Sequence, residues 1–85
     1  MTLEKLVSKY IRSAEGAFEE IGDVADTIQL DESGVKRVFD SAKRYLEDAK
    51  YYQQKGKLET SLTSVAYCEG LLDALRLLGA VDFTW

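Results

Sequence analysis

Three stretches of this chain place apolar residues at spacings of three and four, and no proline interrupts any of them. That recurrence is the period of one face of an α-helix, so the chain is constrained to an all-α fold. In the first stretch, Leu3, Leu6, Val7, Tyr10, Ile11, Ala14, Ala17, Phe18 and Ile21 share a face, while Lys5, Lys9, Arg12, Glu19 and Glu20 point away. Thr2 is placed to cap this helix, with Glu4 near the positive end of its dipole. Gly22 could end this helix, but Val24, Ala25 and Ile28 continue the apolar face, so helix is expected to persist to about Thr27, with a bend or break near Gly22 left open.

The segment QLDESG carries the next start signal, with Asp31 or Ser33 as the cap and Glu32 in the first turn. A seven-residue echo follows, in Val35-Lys36-Arg37, Ala42-Lys43-Arg44 and Ala49-Lys50-Tyr51. Val35, Val38, Phe39, Ala42, Tyr45, Leu46, Ala49 and Tyr52 form the buried face of this second helix. It ends near Lys55, where Gly56 is suited to the left-handed residue that closes a helix. A tight turn leads into a third helix, which Gly79 terminates. This third helix is apolar over most of its circumference, with Glu59, Glu69, Asp73 and Arg76 confined to one wedge, so it needs more than one neighbour. Short connections and similar lengths predict an all-α three-helix up-and-down bundle, with antiparallel helices at about 2–27, 32–55 and 58–79. With only 85 residues, the chain is read as one helical-bundle domain, 1–85, carrying a short apolar tail at 80–85.

Two absences restrict the chemistry. The sequence has no His and a single Cys, Cys68. Imidazole general bases, Ser-His or Cys-His nucleophiles and a structural zinc site are therefore excluded. No glycine-rich phosphate loop of the usual pattern occurs, and no cofactor is expected. Neither an apolar run of about 20 residues nor the apolar core of a signal peptide is found, so no membrane partner and a cytoplasmic location are expected.

Four features are candidates for function. On the second helix, Lys36, Arg37, Lys43, Arg44 and Lys50 form a basic face that phosphate could meet. Lys36, Asp40, Arg44 and Asp48 alternate in sign at four-residue intervals, as do Lys43 and Glu47, so this face is expected to be laced by ion pairs and solvated. The chain is acidic, with a net charge of −4, and nucleic acid is not the expected partner. The second candidate is the wedge Glu69, Asp73 and Arg76 with Tyr67 nearby, which Asp48 would have to join to hold a divalent cation. In the bland reading Arg76 balances Asp73, or Asp73 ties down a helix end. Ala66, Gly70 and Ala74 make a small-residue strip, expected to admit another helix, either the first or second of the same chain or the same helix of a partner subunit. Leu71, Leu78, Phe83 and Trp85 are candidates for an interface.

The stretch from Ala42 to Gly79 resembles the archaeal family known as domain of unknown function 357. The resemblance rests on Asp48-Ala49, Tyr52, Gly56, Ala66-Tyr67, Gly70, Asp73-Ala74 and Leu78-Gly79. It covers nearly half the chain; the first helix is similar to the family only in being amphipathic. The resemblance implies an archaeal, cytoplasmic three-helix bundle with no assigned activity. A lesser similarity is to helical domains of the HEPN type, whose ribonuclease motif requires a His that this chain lacks. The reading that follows is a non-enzymatic protein-interaction module, self-associating as a homodimer or meeting another protein. The alternative is a small-ligand or nucleic-acid binding domain using the basic face and the Asp48/Asp73 region.

Overall fold

The computed structural model describes residues 2–85 and consists of three α-helices: α1 (Leu3–Glu20), α2 (Glu32–Gln54) and α3 (Leu58–Leu77). The all-α, three-helix architecture is the one the periodicity predicts. Thr2 caps α1 by accepting from the Lys5 N–H at 3.2 Å. Asp31, not Ser33, caps α2, its Oδ1 accepting from the Gly34 N–H at 2.7 Å and from the Ser33 hydroxyl at 3.3 Å.

α1 stops earlier than the apolar pattern predicts. Ile21 is extended, at φ −75° and ψ 104°, and residues 21–31 form a connector with one bend, at Asp26. Gly22 costs about 1 kcal/mol in a helix interior relative to Ala, and Asp23 and Asp26 would sit at the negative end of the helix dipole. Tertiary packing would have to offset both terms. It does not, because Val24 and Ile28, which were to extend the buried face, remain 86% and 59% exposed.

α2 and α3 form an antiparallel hairpin, and its centre is made of small side chains. Ala42, Ala49 and Cys68 are buried, together with Leu75. The Ser61 hydroxyl donates to the Ala49 carbonyl at 2.7 Å, which fixes the register. Moving one heptad along each helix from that pair sets Ala42 level with Cys68, and a further heptad sets Val35 level with Leu75. The seven-residue echo read in α2 is therefore its seam against α3. Half-buried Val38, Phe39, Tyr45, Tyr52, Val65, Leu71 and Leu72 close the flanks. At the hairpin turn, Gly56 has φ +74°, and the Lys57 N–H donates to the Tyr52 carbonyl at 2.9 Å. Gly79 ends α3 in the same way, at φ +78°, with the Ala80 N–H donating to the Leu75 carbonyl at 2.9 Å. A side chain at either position meets the steric cost of the left-handed region, about 1–2 kcal/mol.

α1 packs against neither α2 nor α3. It has no buried residue, and Leu3, Val7, Tyr10, Ile11 and Phe18 are all exposed. The second neighbour expected for α3 is thus not supplied by α1 of the same chain. The whole molecule measures 42 × 30 × 22 Å, with a radius of gyration of 15.4 Å where a compact chain of this length has about 12 Å. It exposes 7476 Å², roughly 2,400 Å² more than the ~5,100 Å² of a compact monomer of the same mass.

Because the α2–α3 seam has no room for larger side chains, Ala42→Leu is expected to lower stability by about 1–3 kcal/mol in urea titration. The buried Cys68 thiol should at the same time become more reactive toward a thiol reagent, because opening of the hairpin is what exposes it.

Candidate functional site

The polar wedge of α3 resolves into a clasp on the tail. Asp73 and Arg76 lie one turn apart, and Arg76 Nη2 and Nε donate to Asp73 Oδ1 at 2.8 and 3.2 Å. The same oxygen accepts from the indole Nε1 of Trp85 at 3.0 Å. Gly79 turns the chain back so that Phe83 and Trp85 meet edge to face, with centroids 4.9 Å apart, and the Arg76 guanidinium lies 5.9 Å from the Phe83 ring centre. Hydrogen bonds from Trp85 and then Arg76 hold the Asp73 carboxyl below its ordinary range. Donors that favour the ionised form produce this direction of shift.

Asp73 is thereby engaged in holding the tail. Asp48 is exposed on α2, and Glu69 is exposed on α3. Among the described residues, no group of three or more Cys, Asp or Glu is gathered that would hold a metal ion. Burial raises the Cys68 thiol above its usual value, and the charge of Glu69 raises it further. A protonated, buried thiol is a poor nucleophile.

The ion-pair lacing expected along α2 is not formed. Lys43 lies over the Phe39 ring at 4.8 Å from its centre, and Arg44 donates to the Ser41 hydroxyl at 3.1 Å. The one α2 salt bridge among the described residues joins Lys50 to Glu47 at 3.4 Å, between exposed side chains. An aromatic face and a nearby hydroxyl compete well against an exposed pair worth less than about 1 kcal/mol. Arg37 and Arg44 instead border a shallow groove between the helices, with Val38, Ser41, Tyr45, Tyr67 and Leu71. Tyr45 packs against Tyr67, ring centres 4.4 Å apart and planes tilted by 37°. The periodicity places Tyr45 only as a core position; its place beside Tyr67 follows from the antiparallel register.

The small-residue strip faces outward. Ala66, Gly70 and Ala74 are exposed, and a Cβ built on Gly70 would meet nothing within 4 Å. The expected close approach of another helix of the same chain is therefore absent at this strip. The small residues that do admit a helix are Ala42, Ala49, Ser61 and Cys68. On α3 the strip lies opposite Ser61 and Cys68, and composition alone does not tell the two sets apart. Of the interface candidates, Leu71 is half-buried, Leu78 and Trp85 are exposed, and Phe83 is half-buried under the clasp. Tyr52 is half-buried and meets Tyr51 edge to face.

The depressed Asp73 carboxyl gives the clasp a definite pH dependence. Its contribution is fully present above the ordinary aspartate value near 3.9 and is lost as pH falls through the lower value it has in the clasp. Fluorescence of Trp85, the only Trp, should report that acid transition. In Asp73→Ala the transition should be missing, and the neutral-pH spectrum should resemble that of the acid form of the unmodified chain.

Comparison with known proteins places this architecture in a family without assigning it a reaction. No curated protein matches the chain, and no solved structure matches it. A family model described as a protein of unknown function (DUF357) matches residues 9–81, a span that reaches well beyond 42–79 and takes in most of α1, the connector and the whole hairpin. The chain belongs to the DUF357 family.

Proposed function

We propose that this chain is a non-enzymatic protein-interaction module that self-associates as a homodimer. The observation that carries the reading is the surface left uncovered, roughly 2,400 Å² beyond that of a compact monomer. A standard interface takes about 800 Å² from each partner, so the surplus is ample for a stable one. Much of it is apolar: Leu3, Val7, Tyr10, Ile11 and Phe18 on α1, Leu58, Leu62, Leu77 and Leu78 on α3, and Val24 in the connector. Exposed apolar helix faces of this kind support an association site. The non-enzymatic part of the reading is supported by the lack of His in the sequence and by the commitment of Asp73 and Arg76 to the tail. Native mass spectrometry and light scattering on the purified full chain test it. A dimer is expected at micromolar concentration. A chain that stays monomeric at the highest attainable concentration overturns the reading.

A second reading, binding of a phosphate-bearing polymer, is favoured by the unlaced basic face and by the groove that Arg37 and Arg44 line together with the paired rings of Tyr45 and Tyr67. Guanidinium groups beside aromatic faces suit an unpaired nucleic-acid strand. With a labelled single-stranded RNA oligonucleotide as probe, this reading expects salt-dependent binding that is lost in R37E/R44E. No binding at low ionic strength removes it.

A further inference from the structure

In a chain of net charge −4, one groove is lined by bases and by no acid. Between α2 and α3, Arg37 and Arg44 stand on one wall and Tyr67 and Leu71 on the other, with half-buried Ser41 and Tyr45 between them. Helix geometry keeps the acids of α3 out of it. Glu69 and Asp73 follow Tyr67 and Leu71 by two positions each, about 200° round the helix. Asp73 is also tied to Arg76 and Trp85. On α2, Glu47 and Asp48 border the next hollow, on the far side of Arg44.

The two guanidiniums are drawn together and not neutralised. Arg37 and Arg44 are two turns apart and share a face of α2. Asp40 and Asp48 each stand one turn from Arg44, yet the salt bridges among the described residues are Lys50–Glu47 and Arg76–Asp73. Arg44 donates to Ser41 Oγ at 3.1 Å, and Ser41 lies one turn from Arg37 on the same side. Like charges one turn apart are unfavourable on a bare helix, and an anion between them removes that cost.

We infer that this groove holds the terminal phosphate of a nucleotide, the phosphate between Arg37 and Arg44 and the base against the ring of Tyr67. The inference rests on the phosphate-polymer reading given above and names the group that the site takes. A phosphate monoester carries about −1.5 to −2 charges at pH 7, which two guanidiniums balance, whereas a diester within a strand carries one. The guanidinium fork suits phosphate oxygens taken two at a time. Tyr67 is 55% exposed, and a tyrosine ring stacks any base. At about 220 Å³ the groove is smaller than the roughly 300–1,000 Å³ of pockets that enclose a whole small molecule, so it takes one end of a ligand. The same chemistry is offered by a free mononucleotide and by the 5′-phosphorylated end of a single strand.

Titration of the full chain at low ionic strength separates these sources. The probes are one short RNA sequence with either a 5′-phosphate or a 5′-hydroxyl, and adenosine 5′-monophosphate. The phosphorylated strand is expected to bind at least about ten-fold more tightly than the hydroxyl strand. That preference should vanish in R37Q/R44Q, which alters exposed positions and leaves the seam of the hairpin intact. S41A releases Arg44 without removing a charge and is expected to narrow the preference about three-fold. A preference that survives R37Q/R44Q, or is unchanged in S41A, overturns the inference. Equal binding of the two strands also overturns it and leaves the polymer reading standing. Binding of the mononucleotide alone keeps the groove for a free nucleotide while the polymer reading fails. No binding by any of the three probes removes both.

Discussion

The close approach of α2 and α3 through Ala42, Ala49, Ser61 and Cys68 is the constraint on which the rest of the structure depends. Small side chains at seven-residue intervals let the two backbones come together, and the Ser61 hydroxyl on the Ala49 carbonyl locks their register. Everything the hairpin presents follows from that register. It sets Tyr45 against Tyr67, brings Arg37 and Arg44 to the mouth of the same groove, and turns Ala66, Gly70 and Ala74 to the outside. A slip by one helical turn would replace the small residues of the seam with bulkier neighbours, and the overpacking would be felt immediately.

The molecule divides its apolar residues unevenly. The hairpin buries few of them completely, and α1 buries none. Eighty-five residues are marginal for a self-sufficient core, and using only two of three helices to make it leaves the chain more marginal still. Under the proposed self-association, burial of α1 would continue what folding of the hairpin leaves undone. The clasp of Asp73 on Trp85 and Arg76 belongs to the same economy of a small fold: it holds the end of α3 with polar contacts where apolar ones are scarce.

Most of the fold was legible in the sequence because it is written in local signals. The caps at Thr2 and Asp31, the left-handed glycines at 56 and 79 and the apolar periodicities each act over a few residues, and the caps, the glycines and the three helices are all present. The end of α1 stays open in the sequence because the apolar pattern through Val24, Ala25 and Ile28 is indistinguishable from a buried face until a partner surface is known to be absent. The candidate site was legible in parts. Asp73 as an anchor for a helix end was among the readings of the wedge, but its link to Trp85 depends on a chain reversal at Gly79 that spacing does not encode. The lacing of α2 failed for a related reason: exposed ion pairs are weak, and Phe39 and Ser41 offered Lys43 and Arg44 competing contacts of similar worth.

The three-residue turn around Gly56 also separates the chain in time. With so short a loop, bringing α2 against α3 costs little chain entropy, and small helical folds form in microseconds to milliseconds at a rate independent of concentration. Under the proposed self-association, the cover of α1 would arrive by diffusion, at a rate proportional to the amount of partner present. The hairpin would then be finished by a unimolecular clock and α1 by a bimolecular one, so dilution alone would leave the hairpin intact while stripping α1 of its cover.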